Sequence, residues 1–494
     1  MKFQHILTSA LCLTLVSGAG AAYGQDSGAL VDALVRKKIL TPQEAENIRA
    51  DLIKENTSAD KIKLSGPVTE LSLYGDLRLR YQYSNLDPQI DVKAPTRDPG
   101  HGTQGSKFNF RLRLNGDFKL TENWFGGVQL TTGRNTDTGS QTYDGGFRNY
   151  EIYVSRAYVG WKNDADWLTV IGGKQPDPFY TTDMVWDPNI NPSGAVEQVK
   201  FHKLFGGGVE ETTTTGADGK SVVSVKQAPV SSPWELTLVA GQFAFNDNNE
   251  DAWAGQNTDA FLFEEQLIFS YKFSKDVKLT VAPAYMVYNA AQLNDAVNTE
   301  PFSQLTDGLP LGVGETRNLS IIEVPGDISF KLCGVKTKVL WDFSYNTNGA
   351  KRTRDIYGVN GQMEIVKDSK GKVISEFQRS DHSSQDDMGY QVGFQLGQNV
   401  KRGDWSLLTT YRQVGLAAVD PNLNCSDFAL SRVNVRGWKI GVSYSFSSAV
   451  VAQVTYFGAN NLRSDLVGGQ ATGGARIADG NSLQLVTVDL NVKF

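Results

Sequence analysis

Five arginines stand at spacings that place them on single faces of extended chain: Arg78 and Arg80, Arg111 and Arg113, and Arg156. Successive side chains of a strand point to opposite faces, so residues two apart share one. Arginine stays charged at any ordinary pH and offers a rigid fork of N–H donors. Rows of this kind are fixed cations, suited to attracting and orienting anions rather than to covalent chemistry. Groups for covalent chemistry are scarce: His5, His101, His202 and His382 are the only histidines, and no positioned pair of histidine and nucleophile emerges. Asp247-x-Asn249-x-Asp251 begins like a calcium loop, but Ala252 stands where glycine is needed and Thr258 where a bidentate glutamate belongs. There is no glycine-rich phosphate loop before a helix and no basic tract for nucleic acid. No catalytic residue, metal site or cofactor is expected.

The arginines belong to a repeating element. Lys107 to Leu120 reads K-F-N-F-R-L-R-L-N-G-D-F-K-L. Phe108, Phe110, Leu112, Leu114, Phe118 and Leu120 fall on one face; Lys107, Asn109, Arg111, Arg113, Asn115, Asp117 and Lys119 fall on the other. The run is far longer than an ordinary strand of about five or six residues, and longer than the roughly 9–11 that carry a tilted strand across a bilayer. Comparable runs predict sixteen strands, at 71–83, 107–120, 124–133, 150–161, 167–174, 196–204, 234–245, 261–273, 278–288, 319–332, 335–345, 390–398, 405–414, 437–446, 450–457 and 483–494.

The connections sort by length. Residues 121–123, 162–166, 274–277, 333–334 and 447–449 are tight turns, whereas 84–106, 134–149, 175–195, 246–260, 289–318, 346–389, 415–436 and 458–482 are long and polar. Short and long connections alternate, as in a membrane-spanning antiparallel barrel, and a soluble sandwich has no reason to sort them so. Residues 205–233 fall where a short turn belongs and predict a loose flap or an extra hairpin. Tyr81, Tyr83, Trp124, Trp161, Trp167, Tyr271, Phe273, Tyr345, Trp405, Tyr411, Trp438, Tyr444, Phe446 and Phe494 lie towards strand ends, where interfacial girdles sit. The 494 residues average a hydropathy of −0.31 and no stretch approaches the ~18 apolar residues of a membrane helix. A closed barrel is then the one way into lipid, since only helices and barrels satisfy every backbone group there.

The N-terminus follows another grammar. Lys2 and His5 precede an apolar run, Ile6 to Val16, and then small residues to Gly24. This predicts a signal peptide over 1–24, cut after Gly24 or Ala21. Within 25–68, Ala29, Leu30, Ala33 and Leu34 recur at helical spacing, and Thr41-Pro42-Gln43-Glu44 forms a capping box opening a second helix. A short helical segment and polar linker are expected, with the barrel over 69–494. Cys333 in a tight turn and Cys425 in a long loop lie at opposite barrel ends, so both are expected as free thiols.

The final strand, L-Q-L-V-T-V-D-L-N-V-K-F ending in Phe494, looks like the terminal strand of Gram-negative outer-membrane barrels. Gly173 to Asp187, G-K-Q-P-D-P-F-Y-T-T-D-M-V-W-D, and Leu34 to Ala45, L-V-R-K-K-I-L-T-P-Q-E-A, resemble the bacterial outer-membrane putative porin family. The resemblance implies an all-β, sixteen-stranded transmembrane barrel with a periplasmic helical segment, located in the outer membrane of a Gram-negative-type bacterium. It implies a homotrimer whose water-filled pore passes ions and small hydrophilic solutes, with outer-membrane lipid as its surroundings and no nucleic-acid partner. Trimeric porins fold the loop after the fifth strand into the barrel, so Asp177, Asp183 and Asp187 are implied as the acidic side of a constriction. Arg78, Arg80, Arg111, Arg113 and Arg156, from alternation alone, are candidates for the basic wall opposite, and facing rows of charge would set a transverse field. Plain solvation and Asp-Pro turn chemistry account for the same residues without a pore role. The alternatives are a solute-selective channel for a sugar or an anion, marked by an aromatic track or a basic ladder, and less favoured, a barrel enzyme or adhesin.

Overall fold

The computed structural model describes residues 67–86, 103–133, 139–143, 147, 149–205, 208–215, 221–228, 233–246, 260–289, 316, 318–357, 363–367, 373–378, 386–429, 433–462 and 482–494. The predicted signal peptide, the N-terminal helices, the Asp247–Asp251 stretch, His101 and His382 lie outside the described residues.

Sixteen strands form one antiparallel sheet that closes on itself. They are β1 (Val68–Leu86), β2 (Thr103–Leu120), β3 (Trp124–Thr132), β4 (Ile152–Lys162), β5 (Leu168–Lys174), β6 (Ser193–Lys200), β7 (Trp234–Asn246) and β8 (Ala260–Lys272). The second half comprises β9 (Lys278–Val281 with Ala284–Tyr288), β10 (Ser320–Glu323 with Gly326–Leu332), β11 (Val335–Asn346), β12 (Met388–Gly397), β13 (Trp405–Val414), β14 (Val435–Ser445), β15 (Val450–Asn461) and β16 (Ser482–Lys493). Tight connections gather at one end of the barrel, where Leu332-Cys333-Gly334-Val335 turns with φ of 49° and 81° at its two central residues. That pair of positive φ values is the I′ hairpin geometry, matched to the twist of the flanking strands. Cys333 is exposed in this turn, Cys425 is buried in the loop after β13, and both are free.

Burial follows alternation, but turned inside out. Phe108 is 59% exposed while Arg111, on the opposite face of the same strand, is 9% exposed. Leu73, Leu79, Leu114, Val128 and Val442 are likewise exposed, and Arg80, Asn109, Asn115 and Gln129 buried. Apolar side chains line the outer wall, where a membrane band belongs, and polar ones face the lumen. Exposed Trp124, Trp234, Phe273, Trp405, Tyr444 and Phe446 ring the outer face at the short-turn end. Across adjacent strands, Trp124 faces Trp161, Trp234 faces Tyr271, and Trp405 faces Tyr444.

The apolar core sits within the loop half of the barrel. Lumen-phase Phe457, Ala459, Leu483 and Leu485 are buried together with Met184, Val185, Trp186, Leu416, Val419, Leu423 and Phe428 of two loops. Those lumen faces are apolar because folded chain, rather than water, lies against them.

Several elements differ from the sequence reading. Residues 201–204, expected as strand, form a single helical turn in which Phe201 and Phe205 stack with centroids 6.0 Å apart, as residues four apart on a helix do. Beyond it, Gly208–Thr215 and Ser221–Ala228 make a separate hairpin, the second of the two expected forms. The strands read as continuous over 278–288 and 319–332 each break in two, at Ala282-Pro283 and Val324-Pro325, since proline donates no ladder hydrogen bond. The loop read over 346–389 contains a helix, Gly349–Tyr357, and a further hairpin, Met363–Lys367 with Val373–Gln378.

Closure depends on Gly75. Its N–H donates to the Phe494 carbonyl (2.7 Å) and its carbonyl accepts from the Phe494 N–H (3.1 Å). A Cβ on Gly75 would lie 2.6 Å from the Arg113 carbonyl oxygen and 2.7 Å from the Phe494 ring. Gly75→Val is expected to abolish the heat-resistant folded band on cold SDS electrophoresis. Gly172→Ala, where nothing lies within 4 Å of the new methyl, is expected to leave it intact.

Candidate functional site

The chain between β5 and β6 does not leave the barrel; it crosses the lumen. Its base is closed by the Gln175 N–H donating to the Pro192 carbonyl (2.9 Å). Consecutive residues then reach successively later strands. The Tyr180 N–H donates to Gln266 Oε1 on β8 (2.7 Å), and the Tyr180 hydroxyl donates to Asp327 on β10. Thr181 donates to Glu323 on β10 (2.6 Å) and Thr182 to Asp342 on β11. Asp183 accepts from Arg412 on β13 (2.5 Å) and from Lys439 on β14 (2.6 Å). A four-residue run, Y-T-T-D, is thereby fastened to half the barrel wall.

The returning limb binds a second infolded loop and then the early strands. The Asp187 N–H donates to the Leu423 carbonyl (2.6 Å), the Cys425 N–H donates to the Asp183 carbonyl (3.1 Å), and Ser426 donates to Asp187 Oδ2 through its backbone N–H (3.2 Å). Asn189 Oδ1 accepts from Arg111 (2.9 Å) and Arg113 (2.7 Å) on β2. Asn191 accepts from Arg156 (2.7 Å) and donates to Ser155 (2.8 Å) on β4. A bulge in β4 at this point, where the pairing shifts between Gln129 and Leu130, turns two successive residues inward onto one asparagine. Asp-Pro turns shape both loops: Asp177, Asp187 and Asp420 each accept the N–H two residues on, from Phe179 (3.0 Å), Asn189 (2.9 Å) and Asn422 (2.9 Å).

The five arginines all face the lumen from β1, β2 and β4. Arg80 is held by Asp489 (2.7 Å) and Asp427 (2.9 Å), Arg111 also meets Asp76 (3.2 Å), and Arg78 donates to Ser140. Arg78 and Arg111 are direct register partners, a like-charge juxtaposition that destabilises a sheet pair unless other groups intervene. The buried acids Glu264, Glu323 and Asp342 lie on β8, β10 and β11, about half a circuit away in strand order. The three aspartates of the loop are therefore differently employed: Asp183 is tied to cations of the late strands, Asp187 joins the two loops, and Asp177 is part-exposed beside the Glu264 wall.

Their electrostatics follow. Burial alone would raise the Asp183 carboxyl, but the Arg412 guanidinium and Lys439 ammonium hold it well below the usual carboxylate range. The Asp427 carboxyl is likewise held down against burial by Arg80 and Arg78. Burial pushes Asp187 up, against the N–H bonds from Asn189 and Ser426. Desolvation by the surrounding wall pushes Asp177 up to about 7, opposed only by the Phe179 N–H.

A barrel of this size whose lumen is crossed by an anchored loop between acidic and basic walls has the plan of a pore. The family model described as "Putative porin" matches residues 29–307 and 334–494. The chain belongs to this porin family. It is an outer-membrane channel protein of β-barrel type. No curated protein matches. Among solved structures it is similar to OmpF of Salmonella typhi in complex with daunomycin, at 12% identity over 88% of this chain and 100% of that one, with a TM-score of 0.43. It is also similar to OprB of Pseudomonas putida, at 10% identity over 86% of this chain and 94% of that one, with a TM-score of 0.45.

Arg412, Lys439, Asn189 and Asn191 carry much of this porin's loop anchorage and were not candidates from sequence. Alternation on β13 and β14 does place Arg412 and Lys439 on the lumen phase, beside Thr410 and Gly441, so the signal was present. Arg412 additionally stacks on Phe428, 4.1 Å from the ring centroid, and Lys439 lies 5.7 Å from that of Phe457.

Removing the Asp183 charge leaves two nearly buried cations unpaired, a loss on the order of 3–5 kcal/mol. Asp183→Asn is expected to lower the thermal unfolding midpoint in detergent and raise open-channel current noise. Because the folded carboxyl titrates below its unfolded value of about 4, its contribution is complete above that pH and is lost only as pH falls further. The wild-type midpoint should accordingly drop more steeply below pH 4 than that of Asp183→Asn.

Proposed function

We propose that this protein is a passive diffusion pore for ions and small hydrophilic solutes, and that charge at the infolded loop governs what passes. The observation that carries the reading is the crossing of the lumen by residues 175–192, fastened on one side to Arg111, Arg113 and Arg156 through Asn189 and Asn191, and on the other to acids of β10 and β11. Arg78, Arg80, Arg111, Arg113 and Arg156 form the basic wall of the constriction. Asp177, Asp183 and Asp187 form its acidic side, with Asp177 acting on permeating ions and the other two acting by holding the loop. A field across a narrow, low-dielectric passage orients polar solutes and slows apolar ones.

The chain enters β1 and leaves β16 at the short-turn end, and short turns of bacterial barrels face the periplasm. That supports residues 25–68 as a periplasmic segment following a signal peptide. The homotrimer rests on the family resemblance.

Planar-bilayer reversal potentials test the assignment. Replacing Asp177, Asp183 and Asp187 together by asparagine is expected to shift permeability towards anions, and unchanged selectivity would remove the acidic constriction. Since Asp177 gains its charge as pH rises through about 7, wild-type cation preference is expected to increase between pH 6 and 8. In Asp177→Asn that slope should flatten.

A further inference from the structure

We infer that the short-turn mouth of the pore holds a binding site for multivalent oxyanions, distinct from the constriction. Lys272, Lys275, Lys278, Lys331, Lys336 and Lys338 line one cavity of about 500 Å³ at this end of β8 to β12, a size that suits a small ligand. The register makes the arrangement unusual. Lys272 faces Lys278 directly across β8 and β9, and Lys331 faces Lys336 directly across β10 and β11. Like charges opposite one another on a sheet are destabilising, and here two such pairs stand on neighbouring strands with their side chains on one face.

Three carboxylates enter the cluster and do not balance it. Glu235 is shared by Lys272 (2.9 Å) and Lys278 (3.5 Å), Asp276 meets Lys331 (2.7 Å), and Asp327 meets Lys338 at 3.5 Å while also accepting from the Tyr180 hydroxyl. Among the described residues Lys336 and Lys275 meet no carboxylate within ion-pair distance. Six ammoniums against three carboxylates leave a local excess of positive charge, and the Lys272, Lys278, Lys331 and Lys338 side chains are about half-exposed. Gln395, the register neighbour of Lys338, adds amide donors to the same wall. Lysine binds phosphate and carboxylate as a movable point charge rather than through a fixed fork. An anion with two or more charges would bridge the opposed pairs and relieve both repulsions at once, whereas a monovalent one could relieve a single pair at most.

The site rests on the reading of the lumen as a solute path, but binding can be measured without conduction. The full-length protein in detergent is titrated calorimetrically with inorganic pyrophosphate, citrate and acetate at fixed salt. Pyrophosphate or citrate is expected to bind saturably, their ratio showing whether phosphoryl or carboxylate oxygens suit the site better, and acetate is not. Lys331→Gln with Lys336→Gln is expected to weaken binding by about tenfold or more, and Lys162→Gln, on β4 outside the cavity, to leave it unchanged. Pyrophosphate should raise the wild-type unfolding midpoint, and Lys336→Gln should raise it without any anion by removing one like-charge pair. Equal or absent binding of all three anions, or wild-type affinity in the double variant, overturns the proposal. A protein that binds pyrophosphate yet conducts no current in a bilayer overturns the pore reading instead.

Discussion

The Asp183 carboxylate, clamped between Arg412 and Lys439, is the point on which the interior of the barrel depends. Sixteen strands enclose more space than their own side chains fill. A loop entering that space must find partners for its backbone and side-chain polar groups, because unpaired ones are costly away from water. Asp183 supplies the strongest attachment at the far wall from where the loop enters, and its carbonyl also receives the Cys425 N–H. The two infolded loops are thereby joined at one residue. Phe428 of the second loop then covers the Arg412 guanidinium, and Phe457 of β15 lies under the Lys439 ammonium. Apolar residues can line the lumen at Leu483 and Leu485 because this node keeps folded chain against them.

The charged walls and the loop constrain each other. Without the loop, Arg78, Arg111 and Arg113 would form a patch of mutually repelling guanidiniums on adjacent strands. With it, Asn189 accepts from two of them through one oxygen, and Asp427 of the second loop reaches Arg80. On the opposite wall Asp327, Glu323 and Asp342 accept from the hydroxyl groups of Tyr180, Thr181 and Thr182, with Lys338 beside Asp327 at 3.5 Å. At Asn189, Tyr180, Thr181 and Thr182 the first loop is thus held to the walls by neutral partners, and ion pairs are kept for Asp183 and Asp427. A loop held by complementary ion pairs throughout would have neutralised the lumen it narrows.

What could be read beforehand divides along the same line. Alternation alone carries the outer wall, the lumen phase of the arginines and the strand count, because every strand must present one face to lipid. Phase does not reveal which lumen residues meet which loop residue, since that depends on where a chain segment lies after closure. Asp183 illustrates the difference: the resemblance sets it opposite the arginines of the early strands, whereas its partners come from β13 and β14. The breaks at Pro283 and Pro325 were missed because the hydrophobic period continues through them. The helical turn at 201–204 was missed because its apolar residues fit either period, and the Phe201–Phe205 stack decided it. The burial of residues 416–425 had a local clue in the apolar run L-A-A-V at 416–419, which a loop in water would not need.

Charge also reverses along the axis of a single wall. On β11, Lys336 and Lys338 stand near the short-turn end and Asp342 further in, a separation of about 20 Å between Lys336 and Asp342 at roughly 3.3 Å per residue. β10 repeats the order with Lys331, then Asp327 and Glu323, and β8 with Lys272 and then Glu264. The arginine wall on β1, β2 and β4 lies across the lumen from the acidic stretch rather than from the lysines. A solute anion entering from the short-turn end therefore meets the lysines first, and only then the passage between the carboxyl-lined wall and the arginines. One arriving from the loop end meets the same fields in the opposite order. Such a sequence has no mirror plane across the membrane, so the two directions of passage are physically different even in a pore with no moving part.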